Sequence, residues 1–468
     1  MKQLIFLLTI VSALAVLQVT TGCANIIPPQ GGPRDSLPPV LVEATPADST
    51  VNFRGNRITL NFNEFVKLEE VQGNLLFMPI FENTPIVESR LRTISIRLRD
   101  SLEANTTYIF NFGNALRDEN EGNILRNFTY RFTTGPVLDS LQLSGNVVMA
   151  ESGKIDTTMI VVLHRSMDDS AVYQQRPRYV SRVDNAGNFR FTNLPRDSFA
   201  IYAIGDAGIL RRYTNPAQAF AFADGPVVSG ADSIRLFAYN EVAENAPRST
   251  TTTPPAGNTA ADRRLRLSNS LVNGQQDLLT PLSITFERAL RQWDSSKIVL
   301  VADSAYNTVP NYRWILDSSR KMLQLQHSWT PGRDYHLIAQ QDFAEDSLGR
   351  KLLKADTISF RTKRTEDYGS INLALNGADT TLNPVLQFVQ NDKVVFSVPI
   401  KSGRFVQQLF LPGEYDLRLL YDRNGNGKWD PGQFFGVRRQ PELVQPLGRK
   451  INVKGDWENE FTVDAVTR

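Results

Sequence analysis

One cysteine and three histidines are all that 468 residues offer of the side chains that build disulfides, zinc sites or imidazole catalysis. An internal disulfide is therefore excluded, and His164, His327 and His336 leave little for zinc or triad chemistry. Net charge is nearly absent as well. The 51 basic and 49 acidic residues leave +2, so no global field draws the chain onto nucleic acid. Long helical periodicity is missing. What is present is 41% apolar and 21% charged residues, a composition that excludes a wholly disordered or fibrous chain. At roughly 100–150 residues per domain, the length holds three or four domains.

Residues 1–23 read MKQLIFLLTIVSALAVLQVTTGC. Lys2 gives a short positive region, and Leu4 to Leu17 form an apolar run of export-signal length that ends at polar Gln18 and Thr20. The segment Thr20-Thr21-Gly22-Cys23 resembles the lipobox of bacterial lipoproteins, in which a small residue precedes the cysteine that is lipidated and becomes the mature N-terminus. Thr20 stands where leucine is usual. The resemblance implies a signal peptide over 1–22 and a lipid anchor on Cys23, where each buried methylene contributes ~0.8 kcal/mol. Ala24 to Pro39, rich in proline and glycine, reads as an extended tether over 23–39. No acidic run follows Cys23, so the face of the membrane that carries the anchor stays open.

From residue 40 onward, alternating runs recur about every ten residues. Arg57 to Phe62, Thr93 to Leu98 and Thr107 to Phe112 are three of them. Period-2 alternation with β-branched and aromatic residues predicts strands packed on one face, hence sandwiches or barrels. The pattern also repeats. Ile58 to Glu64 (ITLNFNE) matches Leu282 to Glu287 (LSITFE), and Thr129 to Thr134 matches Thr357 to Thr362, at offsets of 224 and 228 residues. Between these pairs, Asn105 to Tyr108 and Gly332 to Tyr335 each start a strand that runs to an acidic turn with glycine, Gly122 or Gly349. A second unit repeats at nearly the same offset. Gly187-Asn188-Phe189-Arg190-Phe191 with Leu194-Pro195 matches Gly403-Arg404-Phe405-Val406 with Leu411-Pro412. The chain is thus (A-B)-(A-B), divided by a Thr/Pro/Ala linker over 241–262.

The segments PPQGGPRDSLPP, ATPADST and ITLNFNEFV resemble the Ig-like lipoproteins of Bacteroidota. The A unit is similar to their bacterial Ig-like domain. The B unit, with G-x-F-x-F and Leu-Pro, resembles a transthyretin-like or carboxypeptidase-regulatory-like sandwich. These resemblances imply an all-β fold of tandem sandwiches. Its expected parts are an Ig-like domain over 40–135, a transthyretin-like domain over 139–240, a degenerate Ig-like domain over 263–364 and a second transthyretin-like domain over 367–466. They also imply an extracytoplasmic role in binding or assembly, and no particular ligand.

The sharpest local motif is Asp422-Arg423-Asn424-Gly425-Asn426-Gly427-Lys428-Trp429-Asp430. It fits the first half of an EF-hand-type loop, in which alternating oxygens surround calcium and glycine permits the bend. Asp422, Asn424, Asn426 and Asp430 would be the ligands, at the millimolar affinity of extracellular sites. The twelfth position, however, is Gln433 rather than glutamate, and no helices flank the loop. A tight turn of Asx and glycine residues covered by Trp429 explains the same letters.

Four further patterns bear on chemistry. The acidic turns Asp118 to Glu121 and Glu345-Asp346 could pair carboxylates for glycoside hydrolysis, but such turns are common between surface strands. His327 and His336 flank Trp329 on strands expected to be neighbours, without a third metal ligand. All five tryptophans, Trp293, Trp314, Trp329, Trp429 and Trp457, lie in the second half, either as core or as contacts to glycan or protein. Asp-Ser or Asp-Thr pairs beginning at Asp35, Asp48, Asp100, Asp139, Asp156, Asp169, Asp232, Asp303, Asp346, Asp356 and Asp379 resemble the O-glycosylation acceptor of exported Bacteroidota proteins. They serve equally as turn openers.

The resulting expectation is a non-catalytic outer-membrane lipoprotein that acts as scaffold or binding subunit of an envelope complex for assembly, export or uptake. Its expected partner is an outer-membrane β-barrel complex, with calcium the one conceivable cofactor. A surface adhesin or glycan-binding lipoprotein is the alternative.

Overall fold

The computed structural model describes residues 8–9, 35–208, 210–241, 264–303 and 305–465. The expected signal peptide apart from Leu8 and Thr9, the anchor Cys23, the tether before Asp35 and the linker from residue 242 lie outside the described residues. Among the described residues, no helix is long and apolar enough to cross a membrane.

The protein is a series of tandem β-sandwiches, and the alternation in each strand is what builds them. In Arg57–Phe62 every second side chain is buried, Ile58, Leu60 and Phe62, while Arg57 faces water. Such a strand must lay one face on another sheet. In the first A unit the strand order is Leu41–Thr45, Arg57–Phe62, Thr93–Arg97, Ile86–Arg90. The facing sheet runs Leu76–Met78, Thr107–Asn111, Thr129–Thr133. Aromatic rings fill the space between, with Tyr108, Phe110 and Phe132 at the centre.

The second A unit repeats this order with Leu267–Asn269, Leu282–Phe286, Met322–Gln326 and Arg313–Leu316. Register as well as order is kept. Val66 stands opposite Asp118 in a short ladder of the first unit, and Leu290 stands opposite Asp346 in the second. Each unit also has a tyrosine whose hydroxyl accepts a backbone N–H five residues upstream, Tyr108 from Glu103 (2.9 Å) and Tyr335 from Thr330 (3.4 Å).

The B units match each other equally closely. Leu141–Met149 lies between antiparallel Asn188–Leu194 and parallel Ile234–Ala238. Gly369–Asn376 lies likewise between antiparallel Arg404–Phe410 and parallel Glu458–Asp464. The facing sheets run Tyr179–Arg182, Ile160–His164, Ser198–Ile204, Phe220–Phe222 in the first B unit, and Lys393–Pro399, Pro384–Gln390, Gly413–Tyr421, Leu443–Val453 in the second. Four principal apolar clusters result, one per unit.

Neighbouring units are joined by specific contacts. Arg178 of the first B unit grips Glu103 of the first A unit with two bonds of 2.8 and 2.7 Å. Arg176 donates to the Glu82 carbonyl at 2.8 Å, and the Ile80 amide donates to the Arg178 carbonyl at 2.9 Å. Met78 and Ile109 of the A unit are part of the B-unit core. In the second half, buried Tyr368 accepts from the Leu278 amide at 2.7 Å and so fixes the second junction.

Candidate binding surfaces

The Asp422 loop starts where strand Gly413–Tyr421 ends, and the structure does bring its four oxygen-bearing residues together. Asp422 is buried and accepts from the backbone N–H of Gly425 (2.7 Å), Asn426 (3.3 Å) and Gly427 (2.6 Å). The side-chain amides of Asn424 and Asn426 both donate to Asp430, at 2.5 and 2.8 Å. Gly425 and Gly427 sit at φ 73° and 75°, the left-handed region that glycine enters without strain. Gln433, at the twelfth position, turns away and pairs its backbone with Arg439. Buried Glu442 instead holds the loop, accepting from the N–H of Arg423 (2.8 Å) and Asp430 (3.1 Å). Glu442 lies beyond any loop template, so sequence reading had no signal for it.

The loop carries an arm that reaches into the other half of the molecule. Phe434 is fully buried among Tyr202, Phe220, Phe222 and Tyr239 of the first B unit. Arg438 binds Asp169 at 2.8 Å and lies over the rings of Phe222 and Phe434. Gln440 donates to the Phe222 carbonyl (3.0 Å) and to Asp224 (2.8 Å). Gly432 is needed for this fit, since a Cβ there would come within 2.5 Å of the Tyr239 ring. Trp429 packs between the arm's pocket and a small cluster of its own unit, and its indole N–H donates to the Glu442 carbonyl at 2.8 Å. Nearby, the Val444 amide donates to the Ala150 carbonyl (2.9 Å), and Lys154 meets Asp392 at 2.6 Å.

Two of the remaining sequence candidates take on a clear structural role. Asp118 is buried, and its oxygens accept from the amides of Glu121 (2.6 Å), Gly122 (2.8 Å) and Asn123 (2.8 Å). Burial pushes its pKa up, but those backbone bonds outweigh burial and hold the carboxyl below its usual range. Asp346 does the same work in the second unit, accepting from the amides of Leu348 (2.8 Å) and Arg350 (2.9 Å). Carboxylate oxygens of Glu64, Asp118 and Glu121 lie within 4.8 Å of one another. Burial, then the charges of Asp118, Asp35 and Glu121, raises the Glu64 pKa. None of these three lines either of the clefts described below.

The histidines are scattered. His327 and His336 lie on facing sheets rather than neighbouring strands: His327 follows Met322–Gln326, and His336 sits in Asp334–Ala339. His327 packs edge-on against Trp329 and Tyr335, and His336 meets the Ser359 hydroxyl at 2.8 Å. His164 is buried, its Nε2 without a hydrogen-bond partner among the described residues. Of the tryptophans, Trp329 is core, Trp293 and Trp314 pack on the same cluster, and Trp457 is exposed beneath Lys454. Several Asp-Ser/Thr pairs open turns. Asp156 and Asp379 each accept from the amide two residues on, at 2.9 Å.

Two clefts flank the first A–B junction. One, of about 780 Å³, is polar, with Asn111, Asn127, Asn146, Asn188, Arg190 and Arg235 on its walls. The other, of about 880 Å³, combines apolar walls with arginines. Elsewhere, the edge strand Lys393–Pro399 is hydrogen-bonded on one side only and exposes Val394 and Val395.

Residues 35–134 match the bacterial Ig-like domain family. That segment is an Ig-like β-sandwich, and the match begins five residues before the expected boundary at 40, so it takes in the end of the tether. No curated protein matches the chain. Among solved structures, the major pilin subunit of Bacillus cereus is 9% identical, covering 70% of this chain and 99% of its own, with a TM-score of 0.17. An Escherichia coli alpha-2-macroglobulin fragment is 13% identical over 42% of this chain and 91% of its own, TM-score 0.20. The S-layer protein rSbsC(31-844) is 11% identical over 91% of this chain and 54% of its own, TM-score 0.16.

Proposed function

We propose that this protein is a non-catalytic, lipid-anchored scaffold or binding subunit of an envelope complex, held at the outer membrane through Cys23. The observation that carries the reading is the docking of Phe434 and its arm into the first B unit. It folds the duplicated chain back on itself and fixes the relative positions of distant edge strands. A fixed spacing of edges is of use to a binding frame and of no use to a flexible spacer. The edge strand Lys393–Pro399 offers unpaired backbone and exposed valines for strand addition by a partner such as an outer-membrane β-barrel complex.

The test is an affinity pull-down from crosslinked cells with the C-terminally tagged protein and its Val395→Lys variant. Recovery of a defined outer-membrane complex by the wild type, reduced by the variant, is the expected result. Recovery of surface glycan alone would replace the scaffold with the second reading, a surface adhesin. That reading is favoured by one observation, the amide- and arginine-lined polar cleft at the first A–B junction.

We also propose that the Asp422 loop binds calcium. The convergence of Asp422, Asn424, Asn426 and Asp430 favours it, while the backbone bonds that occupy Asp422 and the position of Gln433 favour a self-sufficient turn. A melting temperature raised by millimolar calcium in the wild type but not in Asp430→Ala would establish the ion.

A further inference from the structure

The apolar cleft at the first A–B junction contains charges that the protein does not neutralise. Its walls include Leu75, Phe77 and Ile80 from the A unit and Val180 from the B unit. Arg176, Arg182 and Arg211 also line it, against a single carboxylate, Asp206. Arg176 is spent on the carbonyls of Phe81 and Glu82. Arg182 donates to the Gly73 carbonyl, a neutral partner. The guanidinium of Arg211 has neither hydrogen bond nor ion pair among the described residues, while its backbone N–H donates to the Gly208 carbonyl at 3.4 Å, and Asp206 lies beyond ion-pair distance of all three arginines. The backbone of Arg211 sits at φ 53°, in the left-handed region that costs a non-glycine residue energy.

This combination is unfavourable for an empty cleft. Two guanidinium groups share a partly desolvated space without an ion-pair partner, and the apolar wall cannot solvate them. Burial, and next the charge of Arg182, lowers the Arg211 pKa; burial alone lowers that of Arg182. An anion between them would remove the repulsion, and the planar fork of arginine suits a carboxylate or a phosphate. The same wall would bury an acyl or aryl body. The volume, about 880 Å³, falls in the range of small-molecule sites.

We propose that this cleft binds a small amphipathic anion, with its carboxylate or phosphate held by Arg182 and Arg211 and its apolar body laid on Leu75, Phe77 and Ile80. The proposal is independent of the scaffold reading. A scaffold can carry such a ligand site, and the cleft is remote from the edge strand Lys393–Pro399 in sequence and in unit.

The experiment is calorimetric titration of the full chain with octanoate, octyl phosphate and octanol, each below its aggregation concentration. One or both anions should bind at least about tenfold tighter than octanol, and the stronger of the two identifies the head group. Arg211→Gln should weaken the anion by about thirtyfold while leaving the melting temperature near that of the wild type. Leu210→Glu, at an exposed position on the same cleft, provides a second variant. It should weaken the anions and leave octanol unaffected. Binding of octanol equal to that of the anions, an unchanged affinity in both variants, or no binding of either anion up to about 1 mM would each overturn the proposal.

Discussion

Phe434 and Tyr202, from opposite halves of the duplicated chain, meet edge to face with ring centroids 5.4 Å apart and planes at 82°. Stacking of Tyr213 on Phe220 at 4.3 Å completes one wall of the same pocket. Aromatic pairs of this kind add about 0.5–1.5 kcal/mol each beyond the area they bury. The two halves are therefore fastened by a buried core element as well as by the polar contacts of Arg438, Gln440 and Lys154 around it.

Phe434→Ala should empty that pocket at a cost of about 3–5 kcal/mol. The denaturation midpoint should fall, and small-angle scattering should show a larger radius of gyration as the halves part. An unchanged radius together with an unchanged midpoint would show that the arm does not hold the halves.

His164 sets a pH dependence. Burial, and then the charge of Arg212, lowers its pKa to about 4 from an ordinary value of 6.5. Between those values the unfolded chain takes up a proton that the folded chain refuses, so stability falls as pH falls. The contribution is complete above pH 6.5 and is lost progressively down to about pH 4, on the order of 3 kcal/mol in all. Urea denaturation at pH 7.5 and 5 should show the loss, and His164→Phe should flatten it. A wild type equally stable at both values would contradict the burial of a neutral imidazole.

Asp118→Ala and Asp346→Ala should each cost their own unit about 2–3 kcal/mol, because the turn amides lose their acceptor. Hydrogen exchange at Gly122 and Asn123 should accelerate in the first variant and at Arg350 in the second. Asp118→Asn, which keeps one acceptor oxygen, should fall between alanine and the wild type.

Cys23→Ser should move the protein from the membrane fraction to the soluble one if the lipid anchor is the only attachment. Fractionation with immunodetection reads this directly. Retention in the membrane at wild-type level would remove the anchor from the proposed function.

The sandwiches were legible because their signals are local. Alternation in Arg57–Phe62 or Met322–Gln326 assigns a buried face within a single strand, and the repeated G-x-F segments lead into the strands Asn188–Leu194 and Arg404–Phe410. The acidic turns were visible as letters, but their role was not. Whether Asp118 is a catalytic acid or a buried acceptor depends on which amides face it, and only the ladder pairing Val66 with Asp118 places it at that turn. The Asp422 loop is likewise legible by its oxygens, although part of its support comes from Glu442, which no spacing rule connects to it.

The sequence by itself determined the fold class, the duplication and the turn chemistry, since each follows from the period of side-chain burial and from residues that tolerate left-handed backbone. Tertiary structure alone decided that Phe434 is core to a unit it does not belong to, that Glu442 closes the loop, and that Arg182 and Arg211 share one cleft. Burial periodicity marks a residue as inside or outside but does not name its neighbour. Contacts between distant segments are set by how whole sandwiches pack, and no local pattern encodes that.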